Sequence, residues 1–134
     1  AGIPVMGHLG LTPQSVHALG GFKVQGRGDD AARIIEDAKA LEAAGVFALV
    51  LELVPAELAE QITAELSIPV IGIGAGAKCD AQVLVWTDLM GITKDAPKLA
   101  KAYRNLRIEM LNAAKEYAKD VSSGQFPGPE QTFH

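Results

Sequence analysis

Apolar positions along this chain follow two alternating rhythms: short continuous runs, and stretches stepping by three or four. "GIPVMG" (2–7) is a brief run bounded by glycines, which predicts a strand. "LTPQSVHALGG" follows as one short helical turn, with Pro13 near its start and Gly20–Gly21 ending it. "FKVQGRG" (22–28) is a basic, glycine-punctuated loop. Asp29 and Asp30 open a helix with Ile34, Ala38 and Leu41 on one stripe and Gly45 as its stop. "VFALVLELV" is then a strand too apolar to face water on either side, the signature of a parallel sheet covered by helices.

Pro55 starts a second helix, with Leu58, Ile62 and Leu66 four apart. "IPVIGIGAG" (68–76) predicts a third strand running into a glycine-rich loop, and "QVLVW" (82–86) a fourth. A long helix from about Asp95 to Val121 would carry Leu99, Tyr103, Leu106, Met110, Ala114, Tyr117 and Val121 on one face. The organisation expected is therefore a body over 1–121 and a proline- and glycine-rich tail over 122–134.

Four strands, each followed by a helix, make half of a (β/α)8 barrel, a fold that usually takes about 250 residues. The chain has 134 and begins almost inside a strand. An open four-strand sheet leaves two hydrogen-bonding edges and an uncovered apolar face. The half-barrel reading therefore expects an N-terminal half supplied elsewhere. A small free-standing doubly wound domain is the alternative.

Composition narrows the function classes. A net charge of -4 lacks the basic footprint of a nucleic-acid binder. No apolar run approaches the ~20 residues of a membrane span. A lone cysteine, Cys79, cannot form an internal disulfide, which suits a reducing cytoplasm, and without an obvious activating partner it is read as passive. The expectation is a cytoplasmic protein acting on small molecules.

Active sites of such barrels gather at the strand C-termini. Four positions stand there: His8 just past the first expected strand, Glu52 ending the second, "GIGAG" (72–76) after the third, and Asp88 after the fourth. Glu52 asks most for a reason, because a carboxylate in an apolar strand must be paired or protonated. It is either the structural partner of a cation or a general base, which a low-dielectric site tunes toward neutral pH. His8 is either satisfied by loop backbone or donates to a substrate oxygen, its flanking glycines giving access. "GIGAG" departs from the GxGxxG dinucleotide pattern, so clearance for a bulky ligand is preferred to a phosphate cradle. Asp88 either caps a turn or touches ligand. His17 and His134 are read as structural. The basic loop with Lys23 and Arg27 reads as solvated surface, with a lid as the alternative. No close acidic pair stands at a strand end, so ligands for a divalent ion would lie outside this chain.

"GIPVMGHLGLTPQSV", "KVQGRG", "ALEAAGVFALVLELVP", "IPVIGIGAGAKCDAQVLV", "DLMGIT" and "FPGPEQTFH", in order and compatibly spaced, resemble the C-terminal half of the 3-methyl-2-oxobutanoate hydroxymethyltransferase (ketopantoate hydroxymethyltransferase) family. The resemblance implies a (β/α)8 TIM barrel of the phosphoenolpyruvate/pyruvate type. It implies transfer of a one-carbon unit from 5,10-methylenetetrahydrofolate to 3-methyl-2-oxobutanoate, giving 2-dehydropantoate for pantothenate biosynthesis. Through "LE-x-VP" the family's proton-accepting glutamate matches Glu52, and through "GHLG" its substrate-contacting histidine matches His8. The resemblance also implies Mg²⁺ bound mainly by the N-terminal half, and a homo-oligomer of decameric type. Two other readings compete: a 2-oxo acid carbon–carbon lyase of the same superfamily, and an inactive half-domain fragment.

Overall fold

Four parallel strands pair in the order β1-β2-β3-β4: β1 Met6–Gly10, β2 Ala48–Glu52, β3 Val70–Ile73 and β4 Ala81–Gln82. The computed structural model describes residues 2–133, so His134 lies outside the described residues. The chain divides into two compact units, Ala1–Leu84 and Val85–His134. The sheet belongs to the first.

Register fixes two faces. Met6 pairs with Ala48, His8 with Val50 and Gly10 with Glu52, while Val50 pairs with Ile71 and Glu52 with Ile73. Side chains alternate along a strand, so His8, Val50, Glu52, Ile71 and Ile73 share one face. Leu49, Leu51 and Val70 point the other way and are fully buried. Against them pack α1 (Asp30–Ala43), through Ile34 and Ala38, and α2 (Ala56–Glu65), through Leu58, Ala59 and Ile62. On β2 the helix-side residues Leu49 and Leu51 are fully buried, and on the other face Ala48 is buried while Val50 and Glu52 are half-buried.

Sequential strand order with both helices in one core matches consecutive staves of a (β/α)8 barrel. A doubly wound sheet reverses its strand order at a switch point and carries helices on both faces. That alternative is set aside.

Several expected boundaries move. The first strand lies at 6–10, four residues later than the run at 2–7, so His8 sits inside it and not beyond it. Phe47 N–H donates to Val5 O and the ladder continues from Met6, so pairing with β2 sets the strand, while Ile3 and Val5 stay exposed. The fourth strand shrinks to two residues, with one further bond from Val83 N–H to Gly72 O. It is an edge, and Val83 and Val85 are exposed. No helix joins β3 to β4; residues 74–80 form a tight loop in which Asp80 Oδ2 accepts the Val70 N–H at 2.8 Å.

In the second unit a short helix, α3 (Trp86–Leu89), precedes α4 (Leu106–Ser123), and the helix expected from Asp95 starts eleven residues late. Pro97 disfavours helix at Ala96, and the residues after it form a turn, Ala100 N–H to Pro97 O, in place of helix. Tyr103 N–H instead bonds Leu89 O. The apolar stripe expected on this helix is present in sequence, but Met110, Tyr117 and Val121 are exposed and α4 buries no residue. The tail expected at 122–134 begins inside the last turn of α4 and includes a 3-10 turn at Pro129–Gln131.

The ends of α1 follow the sequence closely. Gly45, at φ 89°, ends α1 with the two reverse hydrogen bonds of a Schellman motif, Gly45 N–H to Glu42 O and Val46 N–H to Leu41 O. At its start Asp30 Oδ2 accepts the Gly26 N–H at 2.9 Å while Oδ1 meets Arg33. The Gly26 amide first, then Arg33, holds the Asp30 carboxyl below its ordinary value.

A depressed folded-state value contributes stability above the unfolded value and loses it as pH falls through the folded one. Asp30→Asn should thus cost up to about 1 kcal/mol at pH 7, the pair being exposed and screened. Below about pH 4 the gap between the two proteins should shrink toward zero. Paired urea melts at pH 7 and pH 2.5 measure this, and a gap that persists undiminished at pH 2.5 contradicts it.

Candidate functional site

Two of the four expected site residues meet. His8 Nε2 and Glu52 Oε2 lie 3.1 Å apart, with side-chain exposures of 32% and 16%. Adjacent-strand register produces the contact: His8 faces Val50, and Glu52 lies two residues further along the same face, within diagonal reach. A carboxylate oxygen only accepts, so with Glu52 ionised Nε2 carries a proton and donates to Oε2. Within this chain the partner of Glu52 is a histidine.

The backbone around Glu52 is bonded on both sides. Leu11 N–H donates to Glu52 O at 2.8 Å, and Leu53 N–H donates to Ile73 O at 2.9 Å. Leu53 turns left-handed, at φ 49°, and its carbonyl accepts the Gln25 N–H at 2.9 Å. Gly10, at φ 87°, approaches so closely that a Cβ there would overlap the Glu52 carbonyl oxygen. Sequence reasoning missed this cluster. Gly10 was visible only as a flanking glycine, and a left-handed leucine carries no sequence signal.

"GIGAG" has a different job from the one expected. A Cβ on Gly72 would lie 2.9 Å from Cys79 Sγ, and one on Gly76 would lie 2.5 Å from Ala56 Cβ. The clearance is filled by this chain's own atoms, at the inter-strand loop and at the start of α2. At Gly72 and Gly76 the missing side chain serves internal close packing. Cys79 is half-buried beneath Gly72, and burial pushes its thiol up, away from the thiolate.

Asp88 is buried on α3, in the second unit, and is not at the end of a sheet strand. His17, Lys23 and Arg27 are exposed. The loop carrying Lys23 and Arg27 is fastened at Gly26, which abuts Leu58 and Ile34. That loop and the start of α2 line an open groove of about 760 Å³, floored by Val54 and Leu58.

Among the described residues no three His, Cys, Asp or Glu side chains cluster as a metal site. One imidazole and one carboxylate do not make the oxygen-rich shell that Mg²⁺ requires. The residues of this chain alone do not fit that ion.

The family model described as ketopantoate hydroxymethyltransferase matches residues 1–129. The chain is similar to the 3-methyl-2-oxobutanoate hydroxymethyltransferase of Acidothermus cellulolyticus, at 60% identity over 99% of this chain and 49% of that protein. Proteins of the same name from Nocardioides and Kosmotoga olearia are each 56% identical over 98% of this chain, covering 45% and 50% of their own lengths. The chain spans about half the length of the curated relatives it matches.

The contact between Gly72 and Cys79 generates a packing prediction. Gly72→Ala should destabilise the first unit by about 1–3 kcal/mol, as overpacking does. Adding Cys79→Ala, which removes the sulfur, should recover at least half of that loss in denaturant melts. Purely additive losses would show that the two residues do not share the space.

Proposed function

The chain belongs to the ketopantoate hydroxymethyltransferase family, and we propose that Glu52 is the base that takes the C3 proton of a 2-oxo acid in that family's reaction. The observation that carries this reading is the 3.1 Å contact between His8 and Glu52 at the C-terminal end of a buried parallel strand. In barrels of this class the strand C-termini form the reaction face. The chain spans about half the length of its relatives, so the reaction is proposed for a barrel completed by a matching N-terminal half.

The reading is as follows. The 2-oxo group of 3-methyl-2-oxobutanoate acidifies the neighbouring C3–H. Oε2 of Glu52 is engaged by His8, which leaves Oε1 to accept the proton. The electron pair of the broken C–H bond passes into the enolate. That enolate then attacks the methylene carbon of 5,10-methylenetetrahydrofolate, one C–N bond breaking with its electron pair kept on the folate nitrogen. A water molecule then replaces the second C–N bond, supplying the hydroxyl of 2-dehydropantoate for pantothenate biosynthesis and releasing tetrahydrofolate. Val50, Ile71 and Ile73 flank Glu52 on the same face, and an apolar surround keeps water from quenching the carbanion. A positioned base contributes roughly 10²–10⁴ in rate. His8 fixes the carboxylate and, through its ring, reaches the substrate oxygen.

The remainder of the proposal rests on the resemblance. It puts Mg²⁺, the folate donor and a homo-oligomeric, cytoplasmic assembly in the complete protein. When bound, the ion would polarise the 2-oxo group. Its ligands lie outside this chain, and no step above depends on it.

The test uses a chimera in which residues 1–134 replace the matching segment of the Acidothermus cellulolyticus relative. In deuterated buffer with Mg²⁺, exchange at C3 collapses the methyl doublet of 3-methyl-2-oxobutanoate. Glu52→Gln keeps the side chain's size and removes its basicity, and should slow exchange by roughly 10²-fold or more while 2-oxo acid binding survives. Undiminished exchange removes Glu52 from the role. Formation of 2-dehydropantoate with tetrahydrofolate and formaldehyde separates transfer from a lyase, which would form none.

A further inference from the structure

We propose that the left-handed bend at Leu53, together with the bare Cα of Gly10, is a positioning device that aims the Glu52 carboxylate at His8. The inference rests on the proton-acceptor reading of Glu52 and extends it to two residues that touch no reacting atom.

Leu53 alone, among the described non-glycine residues, has positive φ. A left-handed backbone costs an L-residue roughly 1–2 kcal/mol, and such strain persists only where surroundings over-determine it. Here they do. The peptide joining Glu52 to Leu53 is held at both ends, its carbonyl by Leu11 N–H at 2.8 Å and its N–H by Ile73 O at 2.9 Å. The next carbonyl, that of Leu53, is held by Gln25 N–H at 2.9 Å. One peptide thus spans three consecutive staves of the sheet: the end of β1, β2 and the end of β3.

The bend decides what Glu52 does. In an unbent strand, residue 53 would continue the ladder beyond β2 and residue 54 would return to the face of Glu52. With the bend, the chain leaves the sheet at residue 53, and Val54 is buried among Ile34, Leu58 and the rest of the helix-side core. Glu52 therefore becomes the last side chain on its face, with its orientation set by a fixed peptide. Gly10 completes the device from the neighbouring strand. Its missing Cβ lets the β1 turn close on the Glu52 carbonyl, which puts Leu11 N–H in bonding range. His8, two residues before Gly10 on the same strand, is thereby held in register with the carboxylate it meets. A shift of about 1 Å in such a pair can cost on the order of 10²-fold in rate.

The experiment separates the bend from the side chain. In the chimera described above, Leu53→Val places a β-branched residue where left-handed φ is least tolerated, whereas Leu53→Asn places one that tolerates it. Circular dichroism melts establish that each variant is folded at the assay temperature. The expected result is a C3 exchange kcat at least tenfold lower for Leu53→Val, with KM for 3-methyl-2-oxobutanoate within twofold of the parent. Leu53→Asn should stay within threefold of the parent in kcat. A purely structural role would move the melt and leave kcat per folded molecule unchanged. If Leu53→Val does not fold, the comparison passes to Leu53→Ala, which should fall tenfold below Leu53→Asn. Full kcat in the folded valine or alanine variant overturns the proposal. So does an asparagine variant as slow as the valine one, because the leucine side chain and not the bend would then matter. Glu52→Gln serves as the control: exchange surviving in it means the base assignment has failed. Its collapse beside an unimpaired Leu53→Val means that only the positioning claim has failed.

Discussion

Parallel pairing of β1 with β2, in the register that opposes His8 to Val50 and Gly10 to Glu52, is the constraint on which the site depends. A slip of one residue would send His8 to the helix side, where Leu49, Leu51 and Val70 leave no room for a polar ring. A slip of two that set His8 opposite Ala48 would keep the face but move the imidazole beyond reach of the carboxylate. The register is held by apolar burial on one side and by the close approach of Gly10 to Glu52 at the strand ends. Stability and site geometry therefore share one cause.

The two sheet faces are built to different rules. On the helix side the packing is dense enough that glycines mark places where even a methyl group has no space: Gly26 against Leu58 and Ile34, Gly72 against Cys79, Gly76 against Ala56. On the other side His8, Val50, Glu52, Ile71 and Ile73 are half-buried and mix apolar with ionisable groups. A carboxylate is tolerated there because it is hydrogen-bonded and keeps 16% of its side-chain surface, so it avoids the cost of complete desolvation. The family's barrel architecture makes this face the inward one.

Much of this was legible in the sequence, for reasons that can be named. Asp30, Ile34, Ala38 and Gly45 spelled out α1 because helical period and end chemistry are local properties. Glu52 and His8 were legible as candidates because a charged group in an apolar run needs a reason. Their pairing was not, because it depends on register between strands forty-four positions apart. The first strand was placed four residues early because β-branched composition spoke for 2–7, whereas pairing with β2 decided for 6–10. The long helix was drawn through Pro97 because a seven-residue apolar stripe outweighed one breaker on paper. In the folded chain the backbone ahead of α4 bonds elsewhere, Tyr103 N–H to Leu89 O and Leu106 N–H to Met90 O, and the helix begins only at Leu106. "GIGAG" invited a ligand because glycine-rich loops often serve ligands, but absence of a side chain is equally what a chain needs to pack on itself.

Leu53 shows why a site can be more specified than its sequence suggests. Glycine or asparagine at that position would have announced a turn, and leucine announced only more strand. The backbone adopts the disfavoured conformation because three hydrogen bonds and a buried neighbour, Val54, together outweigh it. Each of those bonds ends on a different segment: Leu11 after β1, Ile73 in β3, Gln25 in the basic loop. The bend is therefore a property of the assembled unit and not of any local stretch. A conformation that exists only when three segments are in place also couples the aim of the carboxylate to the integrity of the sheet around it. In the proposed role of Glu52 as a base, that coupling is what preorganisation means: the direction of the carboxylate is fixed by folding, before any substrate arrives.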